Sequence, residues 1–375
     1  MNNAPKEGRV AGELRKGRSP LKLDPNRDGP VLAQVFEQYG WSPRQVRYVR
    51  GALRVVDRNQ VYALKKSVAS PEKLAFLEQV TRRLLDAGYE HLLPWVKTQS
   101  GKAYVQQGDG VWYALPWYGK AGWNGKVAID ELIRQLARLH RLCHTATEDS
   151  SEFRRQVDTT LIDRWKEHQK DVFQYREVAL NREFPSPFDR ALKGHVSFID
   201  KAFSFAIQGM DKFVNREQGR PPRYTLVHGR LDPRNLLVGE DGWKWIDFDH
   251  AVLDSPVLDI ASFMRRFLSL EEEEVVDPAA LLKEYESEWP LTGKEKRLLA
   301  LYLAYPERPF HLIRRYYEGH QGEEAAFLRR LEEEMDRLHL FQDWVLRLWQ
   351  KKLPPDKNGK SLEPAGVRGV DSASR

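Results

Sequence analysis

The stretch LVHGRLDPRNLLVGEDGWKWIDFDHAVLDSPVLDIA, residues 226 to 261, constrains this chain more than any other feature. At its centre, LLVGEDGWKWIDFD reads as two short β-rich runs around a glycine-containing turn, with Asn235 before the first run and Asp247 closing the second. A tight hairpin brings its flanks together, so the loop amide and the strand-end carboxylate come within reach of each other.

Composition limits what surrounds that hairpin. At 375 residues, with 11 Trp, 14 Tyr, 16 Phe and hydrophobic residues at 41%, the chain can bury two sizeable cores and is not a disordered polymer. Cys143 is the one cysteine, which excludes an intramolecular disulfide and a Cys-rich zinc site and fits synthesis in a reducing cytoplasm. The N-terminus MNNAPKEGRVAGELRKGRSP has no apolar run that would serve as a signal peptide, and no 18 consecutive apolar residues occur, so neither Sec export nor a membrane association is expected. The net charge of +6 is dispersed among 54 acidic residues without a basic stripe interleaved with aromatics, so no nucleic-acid partner is expected.

The two ends, 1–30 and 353–375, are rich in Pro, Gly and charge without apolar periodicity and read as flexible tails, the first of them basic. Between them no repeat of 20 to 50 residues is visible. After a short helix over Val31 to Tyr39, VRYV, LRVV and QVYALKK alternate as strands, with a turn at Asp57, Arg58 and Asn59. In SPEKLAFLEQVTRRLLDAG, Ser70 caps a helix, Pro71 starts it, Leu74, Leu77, Leu84 and Leu85 form its apolar face and Gly88 ends it. Strands over Ala103 to Val105 and Trp112 to Trp117 complete a small sheet. From Ala128 the period becomes helical, with Ile129, Leu132, Ile133, Leu136 and Leu139 ahead of His140, then helices over Leu161 to Asn181 and His195 to Phe213, and a late one marked by Phe327, Leu331, Met335, Leu338, Val345 and Leu348.

The 226–261 stretch resembles the aminoglycoside phosphotransferase and choline kinase superfamily, whose loop reads H-G-D-x-x-x-x-N, followed by a hairpin, I-D-[FW]-[DE] and D-P-x-x-D-[LI]-A. His228, Gly229, Asn235, Ile246, Asp247, Phe248, Asp249, Ser255, Pro256, Asp259, Ile260 and Ala261 fall in place. The resemblance implies an α+β, protein-kinase-like two-lobed fold: a small antiparallel-sheet N-lobe over 31–118 and a larger, mainly helical C-lobe over 119–352 that contains the 226–261 segment. It also implies ATP and Mg²⁺ as cofactors. Asn235, Asp247 and Asp249 would hold the metal, with Asn235 and Asp247 also at the nucleotide, while Asp259 and His228 shape the loop. VYALKK resembles the V-A-I-K strand, which makes Lys65 the phosphate-contacting lysine, with Lys66 on the opposite face and Glu78 as its helix partner.

Two departures stand out. Gly51 is the only glycine in the first hairpin, so there is no G-x-G-x-x-G loop. Arg230 stands where the catalytic aspartate is expected, and a guanidinium stays protonated and cannot serve as a general base. Asp232 is a weak substitute and a better loop cap, whereas Arg230 would suit binding a phosphate or neutralising Asp247.

YALKK, SPEKLAFL, LLDAGYEHLLPWVKTQSGKAYV, YALPWYGK, QLARLHRLCHTA, DRWKEHQK, FPSPFD and LAYPERPFHLIRRYYEG together resemble the CotS family of bacterial spore coat proteins, in its YsxE-like form, from about Val31 to Trp349. That resemblance implies residence in the endospore coat among other coat proteins. Three readings stay open: a kinase-like coat protein with a degenerate site that binds nucleotide, an active ATP-dependent phosphotransferase on a small-molecule or protein hydroxyl, and a scaffold that binds no nucleotide.

Overall fold

The computed structural model describes residues 25–350 except 124, 126, 148–149, 269–276 and 320–321, with side chains over 29–346. Most of the two expected tails lies outside those residues. The chain runs α1 (Pro25–Tyr39), β1 (Gln45–Val49), β2 (Ala52–Asp57), β3 (Gln60–Ser67), α2 (Pro71–Asp86), β4 (Tyr104–Gln107), β5 (Gly110–Pro116), β6 (Lys120–Ala121), α3 (Ile129–Ala146), α4 (Thr159–Leu180), α5 (Pro187–Glu217), β7 (Thr225–Val227), β8 (Leu236–Gly239), β9 (Gly242–Trp245), β10 (Val252–Asp254), α6 (Val257–Phe267), α7 (Pro278–Glu288), α8 (Gly293–Ala304), α9 (Glu307–Gly319) and α10 (Glu324–Gln350). The described residues form two compact units, one within 1–122 and 234–250, the other within 123–233 and 251–375.

The first unit is built on an antiparallel sheet in the order β1-β2-β3-β5-β4. Strand alternation gives it two unlike faces. Leu53, Val55, Leu64, Trp112 and Ala114 point to one side and join Val35, Tyr39 and Trp41 in a closed core, with Trp41 stacked between Tyr39 and Tyr62 at 4.5 and 4.4 Å. The other side carries Ala52, Arg54, Val56, Val61, Ala63, Lys65 and Leu115, which are only half-buried.

Helix α2 begins as its sequence dictates. Ser70 accepts from Lys73 N, and Pro71 takes a first-turn position whose N–H would be unsatisfied in any case. Its buried stripe is Leu74, Phe76, Leu77, Val80 and Leu84, so Phe76 and Val80 join the face expected from the leucines and Leu85 is only half-buried.

The sequence places the boundary after residue 118 and keeps 226–261 whole, whereas in the folded chain 234–250 packs into the sheet unit. The reason is pairing: Lys120 and Ala121 of β6 face Val238 and Leu237, Trp245 N donates to His91 O at 2.9 Å, and His91 stacks on Trp243 at 3.8 Å.

The second unit is helical apart from the antiparallel pair β7 and β10. On α3, Leu132, Ile133, Leu136, Leu139, His140 and Cys143 are buried as one stripe. Helix α5 starts at Pro187, eight residues before His195, because Ser186 and Asp189 form a reciprocal capping box that the apolar period alone does not reveal. Phe327, Leu331, Met335, Leu338 and Val345 of α10 are buried; Leu348 lies beyond the described side chains.

Candidate functional site

In the first unit, β3 presents Lys65 and Lys66 to opposite faces. Lys66 lies over the Trp112 ring at 5.7 Å and pairs with Asp109 at 2.6 Å. Lys65 Nζ donates to Asp247 Oδ1 and lies 3.3 Å from Asp249 Oδ2. Burial by itself would lower the Lys65 pKa, but the adjacent charges of Asp249 and Asp247 and the hydrogen bonds to them outweigh it and hold the ammonium above the ordinary lysine value.

Asp247 has φ 72°, a left-handed backbone that costs a non-glycine residue energy and recurs at functional turns. Ile246 N donates to Asn235 O at 3.0 Å, which brings the two ends of the β8–β9 hairpin side by side. Asp249, 5% exposed, is fully engaged: Tyr113 Oη donates to Oδ1 at 2.9 Å, Ser67 Oγ to Oδ2 at 3.0 Å, and Lys73 Nζ to its carbonyl at 2.8 Å. Burial, followed by the charges of Asp249 and Asp247, drives the Tyr113 hydroxyl pKa up and keeps it a donor.

Glu78 does not reach Lys65; it pairs with Lys97 at 2.5 Å. The two carboxylates of the hairpin end take up Lys65 instead. Leu77, Thr81, Trp95, Tyr113 and Phe248 line a small cavity of about 30 Å³ that also touches Asp247.

In the second unit, Asp259 lies in the first turn of α6 with no solvent exposure and accepts from His228 N at 2.6 Å and Gly229 N at 3.1 Å. Its second support is His140 of α3, whose Nε2 lies 3.2 Å away while Nδ1 meets the Tyr285 hydroxyl at 2.9 Å. Burial would raise the Asp259 pKa, but the His140 hydrogen bond and the charges of His140 and His228 hold it below the usual carboxylate value. Gly229 at φ 74° allows the turn that aims both amides at Asp259. Arg230 is exposed, its N–H directed at His228 Nδ1 over a long 3.4 Å. Asp232 is buried and paired with Arg266 of α6 at 2.9 Å. Moving it toward the position of a catalytic base would break that pair.

Ser67, Lys73 and Tyr113, which hold Asp249 in the first unit, and His140, which holds Asp259 in the second, were not singled out as site residues by sequence reasoning. The signal for His140 was there, a histidine within an apolar helical stripe, but its partner is 119 residues away. Among the described residues, no three His, Cys, Asp or Glu side chains cluster as a metal site.

Residues 33–345 match a protein-family model described as "Spore coat putative kinase YutH". The chain belongs to this family of kinase-like spore coat proteins. A similar protein is the endospore coat-associated protein YutH of Bacillus subtilis (strain 168), 24% identical over 321 residues, which are 82% of this chain and 88% of that one. The match is to YutH, whereas the form of the loop by itself resembles YsxE-like members of the spore coat proteins. Among solved structures, an aminoglycoside phosphotransferase from Alicyclobacillus acidocaldarius superposes with a TM-score of 0.71 at 19% identity, covering 89% of this chain and 98% of that one. A spectinomycin phosphotransferase solved with ADP and spectinomycin gives 0.59 at 15% identity, covering 84% and 98%. An amicoumacin kinase with AMP-PNP and Ca²⁺ gives 0.52 at 16%, covering 83% and 93%. The chain has an α+β, protein-kinase-like fold, and no helix among the described residues is long and apolar enough to cross a membrane.

Proposed function

We propose that this chain is a spore-coat protein that binds a nucleoside phosphate together with a divalent cation and transfers the phosphoryl group slowly or not at all. The observation that carries the reading is the Lys65, Asp247 and Asp249 cluster. An ion pair taken partly out of water contributes little net stability, and an apolar replacement would serve a scaffold as well, so its presence around a left-handed aspartate argues for a ligand.

The donor set fits a hard cation. Asp247 keeps 27% of its side chain exposed, and the Ile246 to Asn235 backbone bond sets Asn235 beside it, so these two residues would hold Mg²⁺; Asp249 serves better as the anchor of Lys65. The cation, when bound, would neutralise phosphate charge. Lys65 would meet phosphate oxygens, and Asp259 would keep the His228 to Arg230 turn in shape.

Arg230 limits the chemistry, because a protonated guanidinium cannot take a proton from an acceptor hydroxyl, while Asp232 is held by Arg266. A coat location with coat proteins as partners is supported by the name of the YutH relative. The alternative, an active transferase on a small-molecule or protein hydroxyl, is favoured by the Lys65 cluster alone. Single-turnover transfer from γ-labelled ATP, with equilibrium dialysis of the same nucleotide, tests the reading. Binding with little transfer is expected. Rapid transfer in the presence of Arg230, or no binding at millimolar nucleotide, contradicts it.

A further inference from the structure

Arg54 is half-buried on β2, and among the described residues it has no carboxylate partner; its guanidinium lies 5.5 Å from the centre of the Trp117 ring. A half-hidden cation without an acid is costly unless something else supplies negative charge. The register locates it. Arg54 faces Ala63, two residues before Lys65 on the same face of β3, and Trp117 N donates to Val61 O at 2.8 Å, so Trp117 continues that face beyond β5. Diagonal neighbours of this kind sit about 7–8 Å apart along the backbone, within the convergent reach of an arginine and a lysine.

The hairpin before Arg54 explains why a side chain is needed. β1 and β2 are joined by the two left-handed residues Arg50 (φ 48°) and Gly51 (φ 92°), and the Arg50 guanidinium donates to Ala121 O at 2.9 Å. So short a turn has no row of backbone N–H groups to wrap around an anion. Lys65 is already matched by Asp247 and Asp249, whereas Arg54 and the exposed Arg47 opposite it on β1 face no carboxylate among the described residues, and of these two Arg54 is the half-buried one.

Building on the nucleotide reading above, we infer that Arg54 contacts the phosphate tail of a bound nucleoside di- or triphosphate, taking the part of the missing glycine-rich loop. On binding, the guanidinium leaves Trp117 and forms charge-assisted hydrogen bonds to phosphate oxygens. Trp117 therefore reports the event.

The test measures the dissociation constants of ATP, ADP and adenosine for the full chain, Arg54→Met and Arg54→Lys, with Mg²⁺, following Trp fluorescence and confirming by dialysis. Methionine keeps the apolar stem and lysine keeps the charge. Arg54→Met is expected to weaken ATP and ADP roughly ten-fold or more and to leave adenosine unchanged, with Arg54→Lys recovering part of the loss. Unchanged or tighter ATP binding in Arg54→Met, or an equal loss for adenosine and ATP, overturns the role of Arg54 while the nucleotide reading stands. A wild-type chain that binds no nucleotide overturns both. A thermal melt of Arg54→Met within a few degrees of wild type excludes unfolding as the cause.

Discussion

Lys65 on β3 and Asp247 at the end of the β8–β9 hairpin, 182 residues apart in sequence, form one ion pair, and Asp249 flanks it at 3.3 Å. The pair ties the first sheet to the hairpin within a single unit. Removing the lysine leaves two neighbouring carboxylates uncompensated.

Lys65→Met is therefore expected to destabilise the protein by about 2 kcal/mol, below the full cost of breaking a buried pair because both partners remain about a quarter exposed. Lys65→Met/Asp247→Asn should recover part of that loss, since the second change removes a repelling charge. Urea titration of both variants reads the difference. Equal stability of Lys65→Met and wild type would mean that the pair contributes nothing.

Arg230→Asp restores a group able to accept the hydroxyl proton, and a positioned base is worth about 10² to 10⁴ in rate. Phosphoryl transfer to water or to an acceptor should rise over wild type within that range, and Arg230→Ala should not match it. Equal rates for the two variants would show that the base position is not what limits the site.

Asp259→Ala removes an acceptor of two backbone N–H bonds and the partner of His140. A loss of about 3 kcal/mol or more is expected, because bonds to a charged group are strong and the amides would be left without it. The sign with pH follows from the depressed Asp259 pKa: its contribution is present above the ordinary carboxylate value of 3.8 and is lost as pH falls through the lower folded value. Melts of wild type and Asp259→Asn should converge in strong acid; a constant gap would contradict the linkage.

How much of this was legible in the sequence divides along physical lines. The strands, α2 and the 226–261 array were readable because alternation, capping residues and spacing are local signals, and Ser70 and Pro71 act within one turn of the helix they start. Partner choice was not readable. Glu78 had the spacing of a helix glutamate, but only the folded chain shows Lys97 at 2.5 Å from it and two carboxylates already on Lys65. Arg54 carried no motif at all; its place on the face of Lys65 follows from strand register, which depends on pairing between segments.

His168 supplies an acid-side signature. Burial, joined by the charges of His311, Arg164 and Arg314, lowers its pKa from 6.5 to about 4, while it stacks on Phe310 at 3.9 Å. The unfolded chain then takes up a proton that the folded one refuses, so this group costs stability progressively as pH drops from about 6.5 toward 4, and nothing above that window. His168→Gln should flatten the stability profile there, measured by urea titration at several pH values; an unchanged slope would remove His168 as its source.

The most direct test of a nucleotide site is thermal stabilisation by Mg²⁺ with ATP against Mg²⁺ alone, run on the wild type and on Asp247→Ala. Nucleotide at 100 times its dissociation constant should add about 2.7 kcal/mol, visible as a raised melting temperature in the wild type and lost in the variant. No shift at millimolar ATP, or the same shift in both proteins, would contradict a cation-dependent nucleotide site at Asp247.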